Sequence, residues 1–193
     1  MTQPILTEIS SHSPSDTFRL GRRLGEAITQ SSAVGLTGDL GAGKTLLTKG
    51  LCSGLGVREH ERVNSPTFVI MQEYQGRLRI RHYDTYRLSG SEDLLGFGLD
   101  EHFSDTGSVV VVEWADRVLD LLPPETLFIT LEHGGGTMSC DSGVVDSSSV
   151  VDRSASVDKA HNTPIELCRF VTFRGDPDVW ADKVRGLEAP EES

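Results

Sequence analysis

The stretch of sequence that decides the fold is Gly38-Asp39-Leu40-Gly41-Ala42-Gly43-Lys44-Thr45. It matches the pattern G-x-x-x-x-G-K-[ST], whose glycines let backbone N–H groups curl around phosphate oxygens. Apolar residues 33–37 come directly before it and predict a strand, and a leucine stripe after Gly43 predicts a helix. A strand, a glycine-rich loop and a helix in this order predict a P-loop that binds nucleotide phosphates.

Each polar residue of this loop has a predicted task. The Lys44 ammonium is expected to reach the β- and γ-phosphates, and the Thr45 hydroxyl is expected to bind magnesium. The predicted cofactors are therefore ATP and Mg²⁺. The candidate nucleotide contacts from the loop and the start of its helix are Gly38, Gly41, Ala42, Gly43, Lys44, Thr45 and Leu46.

Two acidic residues follow predicted strands and are candidates for the metal site and for catalysis. Glu113 ends the four-valine run 109–112, whose composition is typical of a strand buried on both faces. A P-loop needs an acid at such a strand end to hold magnesium or its waters, so Glu113 is a candidate metal ligand. Asp84 ends the alternating strand 78–84, on the face of its apolar residues. The alternatives are a solvated carboxylate for Glu113 and a structural salt bridge for Asp84.

Further polar residues near these strands carry weaker signals. Thr67 follows Ser65 and Pro66 and is a candidate switch and catalytic residue that senses the γ-phosphate, although such a loop can also be a simple turn. The row Arg77, Arg79 and Arg81 is interpreted as a solvated outer face. Trp114 is interpreted as a core residue and His82 as a structural histidine.

The remaining segments predict an α/β protein with a mainly parallel central sheet and helices on both faces. Residues 16–28 predict a helix capped by Ser15 or Asp16. Further strands are predicted at 68–74, 78–84, 127–131 and 167–173, and further helices at 91–95, 115–122 and 178–187. We interpret residues 1–193 as a single P-loop ATPase domain. The serine- and glycine-rich residues 134–164 are expected to be a disordered insertion, and the tail after residue 187 to be loose.

Composition limits the possible partners and location. The net charge of −11 disfavours stable binding of free RNA by this chain, since phosphate backbones attract basic surfaces. Three widely separated cysteines have no zinc-ligand spacing, and no apolar run is long enough to span a bilayer. We therefore expect a cytoplasmic protein without a membrane partner.

Four motifs in order resemble the TsaE (YjeE) family, the ATPase of bacterial tRNA threonylcarbamoyladenosine synthesis. They are the P-loop, Ser-Pro-Thr-Phe at 65–68, His-Tyr-Asp-Thr-Tyr-Arg-Leu at 82–88 and Val-Glu-Trp at 112–114. The resemblance covers roughly residues 16–131 and resumes over 167–187. Residues 134–164 depart from the family, which has a short connection there that bears Gly and Arg and can approach the nucleotide.

The resemblance implies a P-loop fold, weak ATP hydrolysis and assembly with the TsaB–TsaD pair, which modifies position 37 of tRNAs that read ANN codons. It implies contact with tRNA only through these partners. It also implies phosphate and magnesium binding by Lys44, Thr45 and Glu113, switch or catalytic roles for Thr67 and Asp84, and a place for Thr17 beside the adenine.

Two other classes of protein share a P-loop. A small-molecule or nucleoside kinase is the main alternative, although no lid-like segment with paired arginines is present. A GTP-gated switch is disfavoured because the guanine-binding pattern [NT]-K-x-D is absent.

Overall fold

The computed structural model describes residues 3–58, 63–66, 70–88, 91–134 and 168–188. Thr67, the predicted insertion beyond Gly134 and the tail after Glu188 lie outside the described residues. The strands are β1 (Ile5–Ser11), β2 (Ser32–Thr37), β3 (Met71–Gln75), β4 (Arg79–Asp84), β5 (Ser108–Glu113), β6 (Leu127–His133) and β7 (Arg169–Arg174). The α-helices are α1 (Pro14–Ala27), α2 (Lys44–Gly54), α3 (Leu99–Ser104) and α4 (Pro177–Arg185).

The seven strands form one mixed sheet in the order β1-β7-β6-β2-β5-β4-β3. The central strands β6, β2, β5 and β4 are parallel to one another, whereas β3 at one edge and β7 and β1 at the other pair antiparallel. The predicted mainly parallel arrangement holds for the four central strands, and the antiparallel edges make the whole sheet mixed. At one edge, β3 returns as β4 through a short hairpin, a connection that only antiparallel neighbours allow.

Two apolar clusters cover the two faces of the sheet. On β5, Val109 and Val111 belong to the larger cluster, together with residues of α1, α2 and α4. Val110 and Val112 point to the smaller cluster, which contains residues of α3 and of the short 3₁₀ turns. The four-valine run is thus buried on both sides, as predicted. Within the described part of the chain, no helix has the length and apolar character needed to cross a membrane.

Glycines let α1 and α2 pack with their backbones nearly touching. A Cβ atom on Gly21 would lie 2.1 Å from the carbonyl oxygen of Leu47, and one on Gly50 would lie 2.0 Å from that of Phe18. Neither site has room for a side chain, because the nearest atoms belong to the backbone of the other helix. This close contact fixes α2, and with it the end of the P-loop, against α1.

Several predicted boundaries need correction. The Ser13 side chain caps α1 by accepting from the Asp16 backbone N–H, so neither Ser15 nor Asp16 is the cap. The helix predicted at 115–122 is instead a pair of 3₁₀ turns, Ala115–Arg117 and Leu119–Leu121. Trp114 precedes them with a φ of 60°, in the left-handed region that an α-helix does not continue through. Strand β1 and helix α3 were not predicted.

The interpretation of the arginine row as a solvated outer face is wrong for Arg81, whereas Arg77 and Arg79 are exposed. Arg81 is buried, and its guanidinium lies 2.7 Å from Asp105 and 3.4 Å from Glu73. Arg77 donates to the carbonyl oxygens of Ile28 and Gly25 at the end of α1. Asp105 comes from outside the hairpin, so alternation within one strand cannot reveal that Arg81 is buried beside it.

Candidate functional site

The predicted P-loop connects β2 to α2 at the carboxyl ends of the parallel strands. Gly38, Gly41 and Gly43 have φ values of 128°, 82° and 109°, a region that residues with a Cβ rarely adopt. A Cβ atom on Gly38 would also lie 2.2 Å from the carbonyl oxygen of Leu131 on the neighbouring strand. The backbone path of the loop therefore requires glycine at these positions.

Lys44 begins α2 and is turned back over the loop. Its Nζ donates to the carbonyl oxygens of Gly38 at 2.6 Å and Asp39 at 2.8 Å, and it lies 3.7 Å from the centre of the Trp114 ring. Burial lowers the pKa of the Lys44 ammonium below its usual 10.5, an effect that nearby acids, with Glu113 first, oppose. The loop carbonyls and the indole ring satisfy this buried cation.

Thr45, Glu113 and His82 form a chain of hydrogen bonds next to Lys44. The Thr45 hydroxyl donates to Glu113 Oε2 at 2.9 Å, and His82 Nε2 lies 2.9 Å from Glu113 Oε1. Glu113 is only 2% exposed, so it is not the solvated carboxylate of the alternative hypothesis. The register of the sheet brings the three together, since β4 and β2 flank β5 in parallel.

Asp84 ends β4, which β5 separates from the strand that leads into the P-loop. Its carboxylate accepts hydrogen bonds from two different segments of the chain. The Ser65 hydroxyl donates to Oδ2, and the backbone N–H of Tyr86 donates to Oδ1 at 3.0 Å. Asp84 therefore ties residues 63–66 to the chain that leaves β4. Thr67, two residues beyond Ser65, lies outside the described residues.

These side chains surround an open cavity of about 500 Å³. Of the residues predicted from the sequence, Gly41, Gly43, Lys44, Thr45, Leu46, Asp84 and Glu113 line it. Three other candidates lie behind it. Gly38 presents its carbonyl to Lys44, Ala42 is fully buried, and the buried Thr17 hydroxyl lies 2.7 Å from that of Ser11.

Sequence reasoning missed several residues of this cavity, among them Arg169. Its guanidinium Nε donates to the carbonyl oxygen of Ala42 at 2.9 Å, and its side chain is 7% exposed in contact with the loop. No local signal marks Arg169, because it opens β7, more than a hundred residues after the loop. Trp114 also lines the cavity, contrary to the interpretation of this residue as core. Leu40, Lys49, Ser65 and Tyr86 complete the lining.

The α/β fold with its mixed sheet, and the glycine-rich loop between β2 and α2, define this chain as a protein of the P-loop fold class. A family model described as "Threonylcarbamoyl adenosine biosynthesis protein TsaE" matches residues 11–139. The chain belongs to the TsaE family. The resemblance that the sequence motifs indicated is confirmed.

Curated relatives agree with the family model. The chain is 44% identical over 121 residues to the tRNA threonylcarbamoyladenosine biosynthesis protein TsaE of Treponema pallidum, covering 63% of this chain and 87% of that protein. It is 38% identical over 143 residues to the protein of the same name from Streptomyces coelicolor, covering 72% of this chain and 94% of the relative.

A solved structure extends the similarity to nearly the whole chain. The crystal structure of Bacillus subtilis YdiB matches with a TM-score of 0.66 and 27% sequence identity, covering 97% of this chain and 96% of the other.

Proposed function

We propose that this chain binds ATP with magnesium in the cavity above the P-loop and hydrolyses it slowly as a component of the tRNA threonylcarbamoyladenosine machinery. The observation that carries the proposal is the hydrogen bond from Thr45 to Glu113 in the cavity that Lys44 of the P-loop also lines, in a chain of the TsaE family. The proposed target of the ATPase is the TsaB–TsaD complex.

The charge of the cavity supports the binding of a polyphosphate. The chain as a whole has a net charge of −11, yet Lys44, Lys49 and Arg169 all line this one cavity. Such a local cluster of cations attracts phosphates even on an acidic protein. The rest of the acidic surface supports contact with tRNA only through partner proteins.

The oxygen donors around Glu113 suit magnesium. Thr45 Oγ1 and Glu113 Oε2 are hard oxygen ligands already 2.9 Å apart. The described residues contain no cluster of three or more His, Cys, Asp or Glu side chains able to hold a metal. Magnesium would neutralise charge between the phosphates, while Thr45 and Glu113 would hold it in place.

The other candidates receive roles in binding and switching. Lys44 would exchange the carbonyls of Gly38 and Asp39 for the phosphates. The backbone N–H groups of Gly41, Ala42 and Gly43 would surround those phosphates. Thr17 and Leu46, which lie beside the loop, remain proposed nucleotide contacts.

Asp84 and Thr67 are proposed as the switch and catalytic residues. Asp84 already holds residues 63–66 through Ser65, so a change at the γ-phosphate would reach the adjoining loop. This coupling would connect the state of the nucleotide to partner binding, with Thr67 as the sensing residue.

Reconstitution tests the proposal. Purified TsaB and TsaD, tRNA and threonylcarbamoyl-adenylate are combined with and without this chain, with ATP or with a non-hydrolysable analogue. We expect multiple-turnover modification only with this chain and ATP, and tighter association with the pair when ATP is present. Equal turnover without this chain would refute the assignment, and a screen of phosphate acceptors would then test a kinase.

A further inference from the structure

His82 is completely buried beside the carboxylate of Glu113. Its exposed fraction is 0%, and its Nε2 lies 2.9 Å from Glu113 Oε1. A carboxylate can only accept a hydrogen bond, so the hydrogen of this contact belongs to Nε2. Interpretation of the sequence alone made His82 a structural residue.

The second ring nitrogen of His82, Nδ1, distinguishes between a structural role and a role that acts through Glu113. Nδ1 is buried and has no hydrogen-bond partner within the part of the chain that the structure describes. In that part, Glu113 is therefore the single polar partner of the imidazole. A histidine that served only to join β4 to its surroundings would be expected to satisfy both nitrogens, since an unpaired buried polar atom is costly.

The two oxygens of Glu113 have different neighbours. His82 holds Oε1, and Oε2 faces the Thr45 hydroxyl at 2.9 Å. With one oxygen fixed from behind, the carboxylate cannot turn about its last bond without breaking the contact with His82. Oε2 therefore stays directed toward Thr45.

We propose that His82 is a positioning residue that orients Glu113 for magnesium without touching the nucleotide. The inference rests on the proposed function, because it takes the magnesium of bound ATP as the ion that Glu113 holds. Hydrogen-bond partners of metal-binding carboxylates typically contribute about 10- to 100-fold to metal affinity. Loss of the Nε2 donor should therefore weaken the response to magnesium and leave nucleotide binding without magnesium unchanged.

Glutamine and asparagine form a matched pair of substitutions for His82, because each has an amide nitrogen at a different distance from the backbone. In His82→Gln the amide nitrogen can occupy the place of Nε2, whereas the shorter side chain of His82→Asn reaches only the place of Nδ1. Calorimetry would measure binding of a non-hydrolysable ATP analogue to the full chain, first with a chelator and then over a series of Mg²⁺ concentrations. Melting temperatures would be recorded for each variant.

We expect His82→Gln to keep a magnesium midpoint close to that of the unmodified chain and His82→Asn to need about tenfold more. Combined with Glu113→Gln, His82→Asn should add no further shift, because its effect passes through Glu113. Equal midpoints for the Asn variant and the unmodified chain would overturn the inference. So would a rise of the magnesium midpoint in the Gln variant as large as in the Asn variant. If His82→Asn does not fold, His82→Leu, which also lacks the donor, takes its place in the comparison.

The same titration separates this inference from the proposed function. If the unmodified chain binds the analogue with no effect of magnesium, the proposed ATP site is wrong. If magnesium tightens binding to the unmodified chain and both variants respond equally well, only the role of His82 is wrong.

Discussion

The Thr45 hydroxyl donates a hydrogen bond of 2.9 Å to the carboxylate of Glu113, although the two residues lie 68 positions apart in the chain. Parallel pairing of β2 with β5 sets Leu36 opposite Glu113 and so places the acid beside the start of the P-loop. The contact unites the two residues that the sequence separately suggested for magnesium. The proposed metal site can therefore be tested by substitution of either residue.

Replacement of Glu113 by glutamine should separate binding from hydrolysis. The amide keeps the shape of the side chain but removes the negative charge that attracts magnesium. We expect hydrolysis to fall by about tenfold or more, with nucleotide binding in the absence of magnesium within a few-fold of normal. Phosphate release and calorimetry measure the two effects. Glu132→Gln, at an exposed position of β6, is the control, and normal hydrolysis by Glu113→Gln would make Asp84 the better candidate.

Lys44→Ala should weaken ATP binding strongly. The substitution removes the one ammonium that the loop carbonyls of Gly38 and Asp39 hold in place. A hydrogen bond to a charged group contributes about 1.5–3 kcal/mol, so the affinity should fall by about 10- to 100-fold. Calorimetry with ATP and magnesium measures it, with Arg185→Ala on the exposed end of α4 as the control. An unchanged affinity would refute the assignment of the P-loop.

Arg169→Gln should loosen the phosphate-binding loop. The guanidinium donates to the carbonyl oxygen of Ala42 in a buried contact, and that oxygen would lose its partner. An unsatisfied buried group costs about 1–3 kcal/mol, which lowers the melting temperature of a chain of this size by about 2–12 °C. ATP affinity should fall as well, because a cation leaves the cavity.

Arg174→Gln lies on the same strand and is the matched control for Arg169→Gln. It should lose neither stability nor ATP affinity to a comparable degree, because Arg174 does not line the cavity. If the two variants behave alike in both measurements, Arg169 has no special relation to the loop.

His102 should make the protein less stable in mild acid. Burial first, and then the nearby Arg81, lower the pKa of this imidazole below 6.5, although Glu73, Glu101 and Asp105 oppose the shift. The unfolded chain takes up a proton near pH 6.5, and the folded protein does so only at lower pH. The stability that the folded protein gains from keeping His102 neutral is therefore complete above about pH 6.5. It is lost as the pH falls toward the lowered pKa of His102.

Urea denaturation between about pH 7 and about pH 5 measures this dependence as the free energy of unfolding. His102→Gln should give a flatter profile over that interval than the unmodified chain. His133→Gln, at the exposed end of β6, is the control substitution. A profile equally steep in His102→Gln would show that other groups cause the acid sensitivity.

The local pattern of the sequence was sufficient for the P-loop and for the strands around it. Gly38, Gly41 and Gly43 must be glycine because of backbone angles that the loop itself imposes, and the four valines before Glu113 indicate a strand buried on both faces. Each of these signals depends on residues close together in the chain, so no knowledge of the rest of the fold was needed.

The tertiary structure alone decided which distant residues meet. Arg169 reaches the P-loop from β7, Arg81 is buried against Asp105, and His82 holds Glu113. These contacts depend on the order and register of strands, which alternation within one strand does not contain. The antiparallel pairing of β7 with β6 and β1 escaped prediction for the same reason, since the direction of pairing between strands far apart in the chain is not contained in their composition.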